Sequence, residues 1–405
     1  MTSADTKTRA PTGDASSIYA ARALRDFGDG FTAVLLPVWL TSLGLDAFQI
    51  GVAATLALAG SAAVTLGIGM LGARFDHRLM LMCAAGVMIA TGLMFANASA
   101  YPVILLVSFV GTINPSAGSA SIFAPLEQSV LAGAIDSSRR TSAFARYSLI
   151  GALAAATGAL ASGSPDLLAK AGLDRMDALR AMFALYAALG LAAALIYARL
   201  PAAPRGVERP KSALGPSRAI VYKLAALFSV DSFAGGFAVQ SLIALWLFEK
   251  FDLSLATAGL FFFWSGVATA FSFPVAAWLS ARIGLVNTMV WTHIPASLCL
   301  IAAAVTPDLY VTMALLLLRA ALSQMDVPAR TSYVMAVVTP PERAAAASFT
   351  AVPRSLASAI SPSIAGALFV AGHAAWPLVL CGALKIAYDL ALLWTFRNVK
   401  PPEEL

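Results

Sequence analysis

The sequence predicts an all-α integral membrane protein of about twelve transmembrane helices, built as two parallel six-helix repeats with both termini in the cytoplasm. Three observations predict it: the composition, the spacing of the apolar runs, and a similarity between the two halves of the chain. Hydrophobic residues make up 59% of the 405, charged residues only 12%, and the mean hydropathy is +0.79. Soluble domains run at roughly half apolar and a quarter charged, so no water-soluble fold buries this excess. A helix needs about 20 residues to cross roughly 30 Å of hydrocarbon, because every backbone N–H and C=O must find its partner inside the segment.

Runs of that kind recur along the chain. Spans are expected near 18–43, 48–73, 79–98, 102–135, 142–162 and 179–198, and again near 221–248, 255–279, 285–305, 309–338, 344–370 and 374–396. The fourth carries an expected break at Asn114-Pro115-Ser116, where proline removes a backbone donor. The division that follows is a polar tail (1–17), a first bundle (18–200), a basic, Pro-rich linker (201–219), a second bundle (220–397) and a short tail (398–405).

Orientation comes from Lys and Arg. With the N-terminus inside, the cytoplasmic side collects 17 of them, from Lys7 and Arg9 to Arg397 and Lys400, and the other side collects 4, namely Lys170, Arg175, Arg180 and Lys250. Cytoplasmic loops hold the excess, so both termini are expected inside. The net charge of +6 is then a topology signal rather than a nucleic-acid footprint. The first 17 residues lack an apolar core, so no cleavable signal peptide is expected. Cys83, Cys299 and Cys381 lie singly in apolar spans, and His77, His293 and His373 are scattered, which suggests neither a metal site nor a cofactor.

The halves are related. PLEQSVLAGAIDSSRRTSAFARYSLIGALAAATGALASG from Pro125 matches PARTSYVMAVVTPPERAAAASFTAVPRSLASAISPSIAG from Pro328 without a gap, at an offset of 203. GMLGARFDHRLML from Gly69 matches AWLSARIGLVNTM from Ala277, and Gly30-Phe31 matches Gly236-Phe237, in the same order in each half. An even number of spans per repeat makes the repeats parallel. Parallel six-helix halves with a central basic loop resemble the major facilitator superfamily, over nearly the whole chain. The superfamily's helix 2–3 signature, GxLaDRxGrr, is met by Gly69, Leu71, Arg74 and Arg78, with a second copy keeping Leu279, Arg282 and Gly284. Ala73 stands where the family's Asp should be and Asp76 where it has Gly, so the charge latch built on that Asp is not expected here. SPSIAG, from Ser361 to Gly366, looks like the GPxxGG packing motif of the antiporter branches.

Twelve ionisable residues fall within spans: Arg25, Asp26, Asp29, Glu127, Arg146, Asp231, Arg319, Asp326, Arg330, Arg354, Lys385 and Asp389. A charge at the bilayer centre costs at least about 2.5–3.5 kcal/mol, so such groups face the interior or an aqueous cavity and pair. Arg25/Asp29, Asp326/Arg330 and Lys385/Asp389 are spaced i,i+4 for pairing on one helix. Similar depth in each hairpin predicts two interhelical bridges, Glu127–Arg146 and Asp326–Arg354. Asp26 and Asp231 have no evident helical partner and sit at nearly equivalent places in spans one and seven. The resemblance implies that the first, fourth, seventh and tenth spans line a central cavity, so Asp26, Asp29, Glu127, Asp231, Asp326 and Arg330 face substrate or coupling ion, with Arg319 beside them. Gln128, Gln240 and Gln324 are added because a buried amide needs a partner.

The function these readings imply is secondary active transport of a small solute by a monomer in the cell (inner) membrane. Proton-coupled export of an organic or amphipathic compound leads, with uptake of a metabolite or a non-transporting membrane sensor as alternatives. No Ser/His/Asp, HExxH or zinc-like set points to an enzyme, and GxxxxGK[ST] is absent, which disfavours a primary pump.

Overall fold

The computed structural model describes residues 12–71, 76–116, 121–134, 140–201, 215–339, 342–397 and 399. Among them are seventeen α helices and no strand. In the first half these are α1 (Thr12–Ser42), α2 (Ala47–Leu71), α3 (His77–Asn97), α4 (Tyr101–Val110), α5 (Ala124–Ala134), α6 (Arg140–Ala161), α7 (Ser164–Lys170) and α8 (Arg175–Tyr197). In the second they are α9 (Arg218–Gly236), α10 (Gln240–Phe251), α11 (Leu255–Ile283), α12 (Leu285–Val305), α13 (Leu309–Ser323), α14 (Asp326–Val337), α15 (Arg343–Ser358), α16 (Ser361–Val370) and α17 (Trp376–Phe396).

They make twelve spans because several spans are interrupted. α4 with α5, α9 with α10, α13 with α14 and α15 with α16 are each one span in two pieces, and α7 extends the span of α6. Nine runs among the described residues are long and apolar enough to cross a membrane by length and composition. Each interruption has a local cause. Pro362 follows the Ala359-Ile360 turn, Pro328 follows the Gln324-Met325 turn, and Gly235-Gly236 precede the turn at Phe237. In the fourth span the break is wider than Asn114–Ser116, since α4 stops at Val110 and α5 starts at Ala124. The seventh, tenth and eleventh spans, expected as continuous, are broken too. Broken backbone at membrane depth must be paired by neighbouring protein. Here the Ser241 N–H, near the start of α10, donates to the Pro115 carbonyl at 3.0 Å, joining two breaks across the halves.

Several helix starts are capped by side chains. Asp76, Asp174, Ser254 and Asp308 accept backbone N–H groups at the starts of α3, α8, α11 and α13. Asp76, the departure from the family signature, is thus the cap of α3, accepting from Arg78 N at 3.0 Å. At the linker's end, Glu342 accepts from the Gly215 N–H, from Ser217 Oγ at 2.6 Å and from Thr339 Oγ1. The Ser217 and Thr339 hydroxyls, with the Gly215 amide, hold its carboxyl down at about 2.

The sequence repeat reappears in the packing. α1 lies on α6 as α9 lies on α15, and α3 lies on α8 as α12 lies on α17. Between halves, α2 packs on α16, α6 on α11, and α1 on α10. A Cβ on Gly366 would stand 2.4 Å from the Ala47 carbonyl, and one on Gly51 2.4 Å from the Pro362 carbonyl, so this crossing tolerates only glycine at both places. Ser363 N also donates to Thr55 Oγ1 at 3.0 Å across it. These approaches lie toward the end carrying the 43–46, 252–254 and 371–375 loops, opposite the end of the basic linker.

Candidate functional site

In the first half, α1 carries two turns of charge. Arg25 Nη2 lies 2.5 Å from Glu127 Oε2 on α5, both fully buried. Tyr147 Oη on α6 donates to the same oxygen at 2.6 Å, and Tyr197 Oη on α8 to Oε1 at 2.5 Å. Arg25 also donates to Tyr197 Oη at 3.0 Å and to Ser121 Oγ at 3.2 Å, and lies over the Phe123 ring at 4.1 Å. Three elements thus converge on one carboxylate carried by a fourth. Asp26 is held by Arg22, with Nε 2.6 Å from Oδ2, an ion pair not aligned as a hydrogen bond. Asp29 Oδ1 accepts from Tyr186 Oη at 3.2 Å, and Tyr186 Oη meets Thr112 Oγ1 at 3.0 Å. A small polar cavity of about 10 Å³, space for a single water, lies beside the break in the fourth span, where Arg25, Asp29, Thr112, Asn114, Ser121 and Tyr186 line it.

The second half has its own chain of contacts. Asp231 on α9 is held by Lys385 of α17 at 2.5 Å through Oδ1 and by Arg330 of α14 at 3.1 Å through Oδ2. Arg330 Nη1 also lies 3.0 Å from Asp326 Oδ2. His293 of α12 sits with Nδ1 3.0 Å from Asp389 Oδ1 and Nε2 3.3 Å from Lys385 Nζ. Arg330 and Arg354 both approach the Phe228 ring, at 5.6 and 5.9 Å.

The two networks are related by the repeat with their signs exchanged. The offset of 206 that aligns Gly30 with Gly236 carries Arg25 onto Asp231, and the offset of 203 that aligns Pro125 with Pro328 carries Glu127 onto Arg330. Arg25–Glu127 and Asp231–Arg330 are therefore the same bridge with cation and anion interchanged. The 203 offset also sets Arg354 where the first half has Gly151, whose Cβ would stand 2.5 Å from Asp26 Oδ2.

Several expected partners are corrected. Asp326/Arg330 pairs along its helix, but Arg25 and Lys385 reach across to other helices, leaving Asp29 to Tyr186 and Asp389 to His293. The Glu127–Arg146 bridge does not form: Tyr147 takes the inward position, and Arg146, about 100° round the helix, is exposed. Arg354 donates to Ser232 Oγ at 3.1 Å in place of Asp326. Asp26, expected to lack a helical partner, has Arg22 one turn back on the same helix. Gln128, one residue on from the inward Glu127, is exposed, as is Gln324 at the α13–α14 turn; Gln240 is half-buried at the start of α10. Arg319 is half-buried, and among the described residues no carboxylate lies within 4 Å of it. His293, Tyr147, Tyr186 and Tyr197 were not anticipated; the signal was an ionisable or phenolic side chain inside an apolar span.

The helix 2–3 signature falls only partly within the described residues. Gly69 falls in α2, Arg78 is half-buried at the start of α3, and Arg74 lies outside the described residues. Arg282 stacks on Trp278 at 4.1 Å and lines a cavity of about 460 Å³ with Asn287, Phe396 and Arg397 at the end of α11.

Comparison with known proteins agrees with this architecture. An uncharacterized membrane protein of Saccharomyces cerevisiae is 22% identical over 424 residues, covering 95% of this chain and 94% of the relative. A bacterial homologue of the human lysosomal transporter Spinster, in an inward-facing, occupied conformation, has a TM-score of 0.75 at 16% identity, covering 95% of this chain and 97% of that one. The nucleoside transporter NupG has a TM-score of 0.72 at 13% identity (95% and 99% covered), and the human organic anion transporter MFSD10 has 0.65 at 14% (94% and 99%). The family model described as Major Facilitator Superfamily matches residues 18–230 and 224–405, so this multi-pass membrane protein belongs to the Major Facilitator Superfamily.

Proposed function

We propose that this chain is a secondary transporter that carries a small organic or amphipathic solute across a cell membrane by alternating access, exporting it in exchange for protons. The observation that carries the reading is the sign-exchanged pair of bridges, Arg25–Glu127 and Asp231–Arg330, in two bundles that touch toward one end. Each of the two bridges is closed within its own bundle, because an unpaired buried charge costs several kcal/mol. When the halves rock the other way, the pseudo-symmetry sets Arg25 against Asp231 and Glu127 against Arg330, so closure brings attraction where a symmetric pattern would bring repulsion. A carboxylate that changes partners in such a cycle changes its proton affinity, which is a physical route to coupling.

The excess of Lys and Arg supports a cytoplasmic placement of both termini, which puts the α2–α16 crossing toward the outer side. The small-residue crossing at Gly366, in a run resembling the antiporter packing motif, supports the export direction. Uptake of a metabolite is the second reading, favoured by the likeness to a nucleoside transporter.

The test is flux in proteoliposomes loaded with a pH-sensitive dye and screened against a solute library, with and without an imposed proton gradient. A solute-dependent proton signal is expected. Solute flux without proton movement removes the coupling, and no flux with any solute turns the assignment toward a membrane sensor.

A further inference from the structure

We propose that His293 is a proton-binding site on the supporting helices α12 and α17, and that its proton decides whether Lys385 holds Asp231. The inference rests on the proton-coupled reading above, but its own observation is geometric. His293 is 2% exposed and meets charge through both ring nitrogens. Nδ1 faces Asp389 Oδ1 at 3.0 Å and Nε2 faces Lys385 Nζ at 3.3 Å.

An ammonium has only donors. The Nε2 that meets it must therefore present a lone pair, and the ring hydrogen lies on Nδ1, donated to the Asp389 carboxylate. This arrangement is the neutral ring, and the lone pair facing Lys385 is where the next proton lands. Once there, it sets an imidazolium N–H against an ammonium at contact, two donors and two positive charges with no acceptor between them. The acceptor within reach is Asp231 Oδ1, 3.9 Å from Nε2, which Lys385 now holds at 2.5 Å. Protonated His293 thus competes with Lys385 for one oxygen. The other oxygen of Asp231 is bound to Arg330, so the exchange reaches the α9–α14 bridge that mirrors Arg25–Glu127.

The surroundings fit this role. α17 presents Asp389, Lys385 and the edge of the Tyr388 ring, 6.2 Å away, and α9 presents Asp231. α14 adds Arg330 and Asp326 one contact further on, and α15 adds Arg354 across Phe228. Among the described residues neither Arg319 of α13 nor Arg282, the charged residue of α11, lies within 4 Å of a carboxylate. The chain of direct contacts joins Asp389, Asp231 and Asp326 to Lys385 and Arg330 alone, one negative charge in excess, which a proton on His293 cancels.

The protein holds three histidines, so nitrogen NMR of histidine-labelled protein in lipid nanodiscs resolves this ring, with H293Q giving the assignment. The expected result is a neutral Nδ1–H tautomer at high pH that gives way to the cation on acidification over the range in which the protein stays folded. Lys385→Met, which removes the facing ammonium, is expected to raise the proton affinity of His293 by about tenfold or more. A ring that stays neutral across that range, or a titration that Lys385→Met leaves in place, overturns the proposal. In proteoliposomes H293Q is expected to keep solute flux and lose the accompanying proton movement. Intact coupling in H293Q sinks the role of His293 while leaving proton-coupled transport standing. Wild-type flux without protons sinks that broader reading even if the ring titrates.

Discussion

Arg25 Nη2 and Glu127 Oε2 lie 2.5 Å apart in the first bundle, at the positions that the repeat turns into Asp231 and Arg330 in the second. The two bundles descend from one pattern of contact, and what differs between them is the sign at each end. Around Glu127 two tyrosine hydroxyls complete the coordination, whereas around Asp231 a lysine does so.

The first prediction concerns that bridge as a unit. Glu127→Gln leaves Arg25 as a buried cation and turns one of the two oxygens that accept from Tyr147 and Tyr197 into an amide donor, so a loss of roughly 3–5 kcal/mol is expected. Replacing both partners together, as in R25M with E127L, removes the uncompensated charge and is expected to cost less than E127Q alone. Thermal unfolding of the three purified proteins in one detergent checks the order, and a double variant less stable than the single contradicts it.

The class of fold was legible from residues because it depends on composition and period, which survive in one dimension. Ala47–Leu71 reads as a span wherever it sits. The site was legible only as a set of charges. Arg25 and Asp29 have the right spacing to pair along the helix, yet the guanidinium reaches Glu127 at 2.5 Å because α5 brings a buried carboxylate with tyrosine donors to the other side of it. Spacing along one helix says nothing about what a neighbouring helix offers. The same omission hid His293, a single histidine in sequence that packing places between Asp389 and Lys385.

The crossing of α2 and α16 gives a second prediction. Gly366→Leu places side-chain atoms where the Ala47 carbonyl already stands 2.4 Å from a Cβ, with backbone rather than a flexible side chain as the obstacle. The halves must separate at this end. Spin-label distances between α2 and α16 are expected to lengthen, and transport to fall severely, while insertion persists. Unchanged distances would falsify the close packing described above.

Glu342 gives a pH prediction. Its carboxyl is held at about 2, below the ordinary 4.5, by hydroxyl and amide donors, so its stabilisation is complete above about 4.5 and fades as pH falls through about 2. Glu342→Gln turns one acceptor into a donor facing the Ser217, Thr339 and Gly215 donors. Faster hydrogen exchange around 215–217 is expected in the variant near neutral pH, and the stability gap between variant and wild type is expected to narrow in acid. A gap that stays constant down to that range means the carboxylate contributes nothing there.

Asp29 yields the most direct test of coupling in the first bundle. Among the described residues, the other buried carboxylates within the spans, Asp26, Glu127, Asp231, Asp326 and Asp389, each have a basic side chain within 4 Å, whereas Asp29 has the Tyr186 hydroxyl at 3.2 Å and a small polar cavity beside the broken fourth span. A carboxyl without a cation is free to gain a proton without breaking an ion pair, and the cavity gives water a place beside it. Asp29→Asn keeps an oxygen for Tyr186 and removes the titration, so the fold and solute exchange are expected to persist while flux no longer follows the pH gradient. Tyr186→Phe removes the hydroxyl but leaves the carboxyl, and is expected to alter the pH at which coupling occurs without abolishing it. Gradient-driven transport at the wild-type rate in Asp29→Asn would place the proton elsewhere, and loss of coupling in both variants alike would assign the tyrosine, rather than the carboxyl, the decisive part.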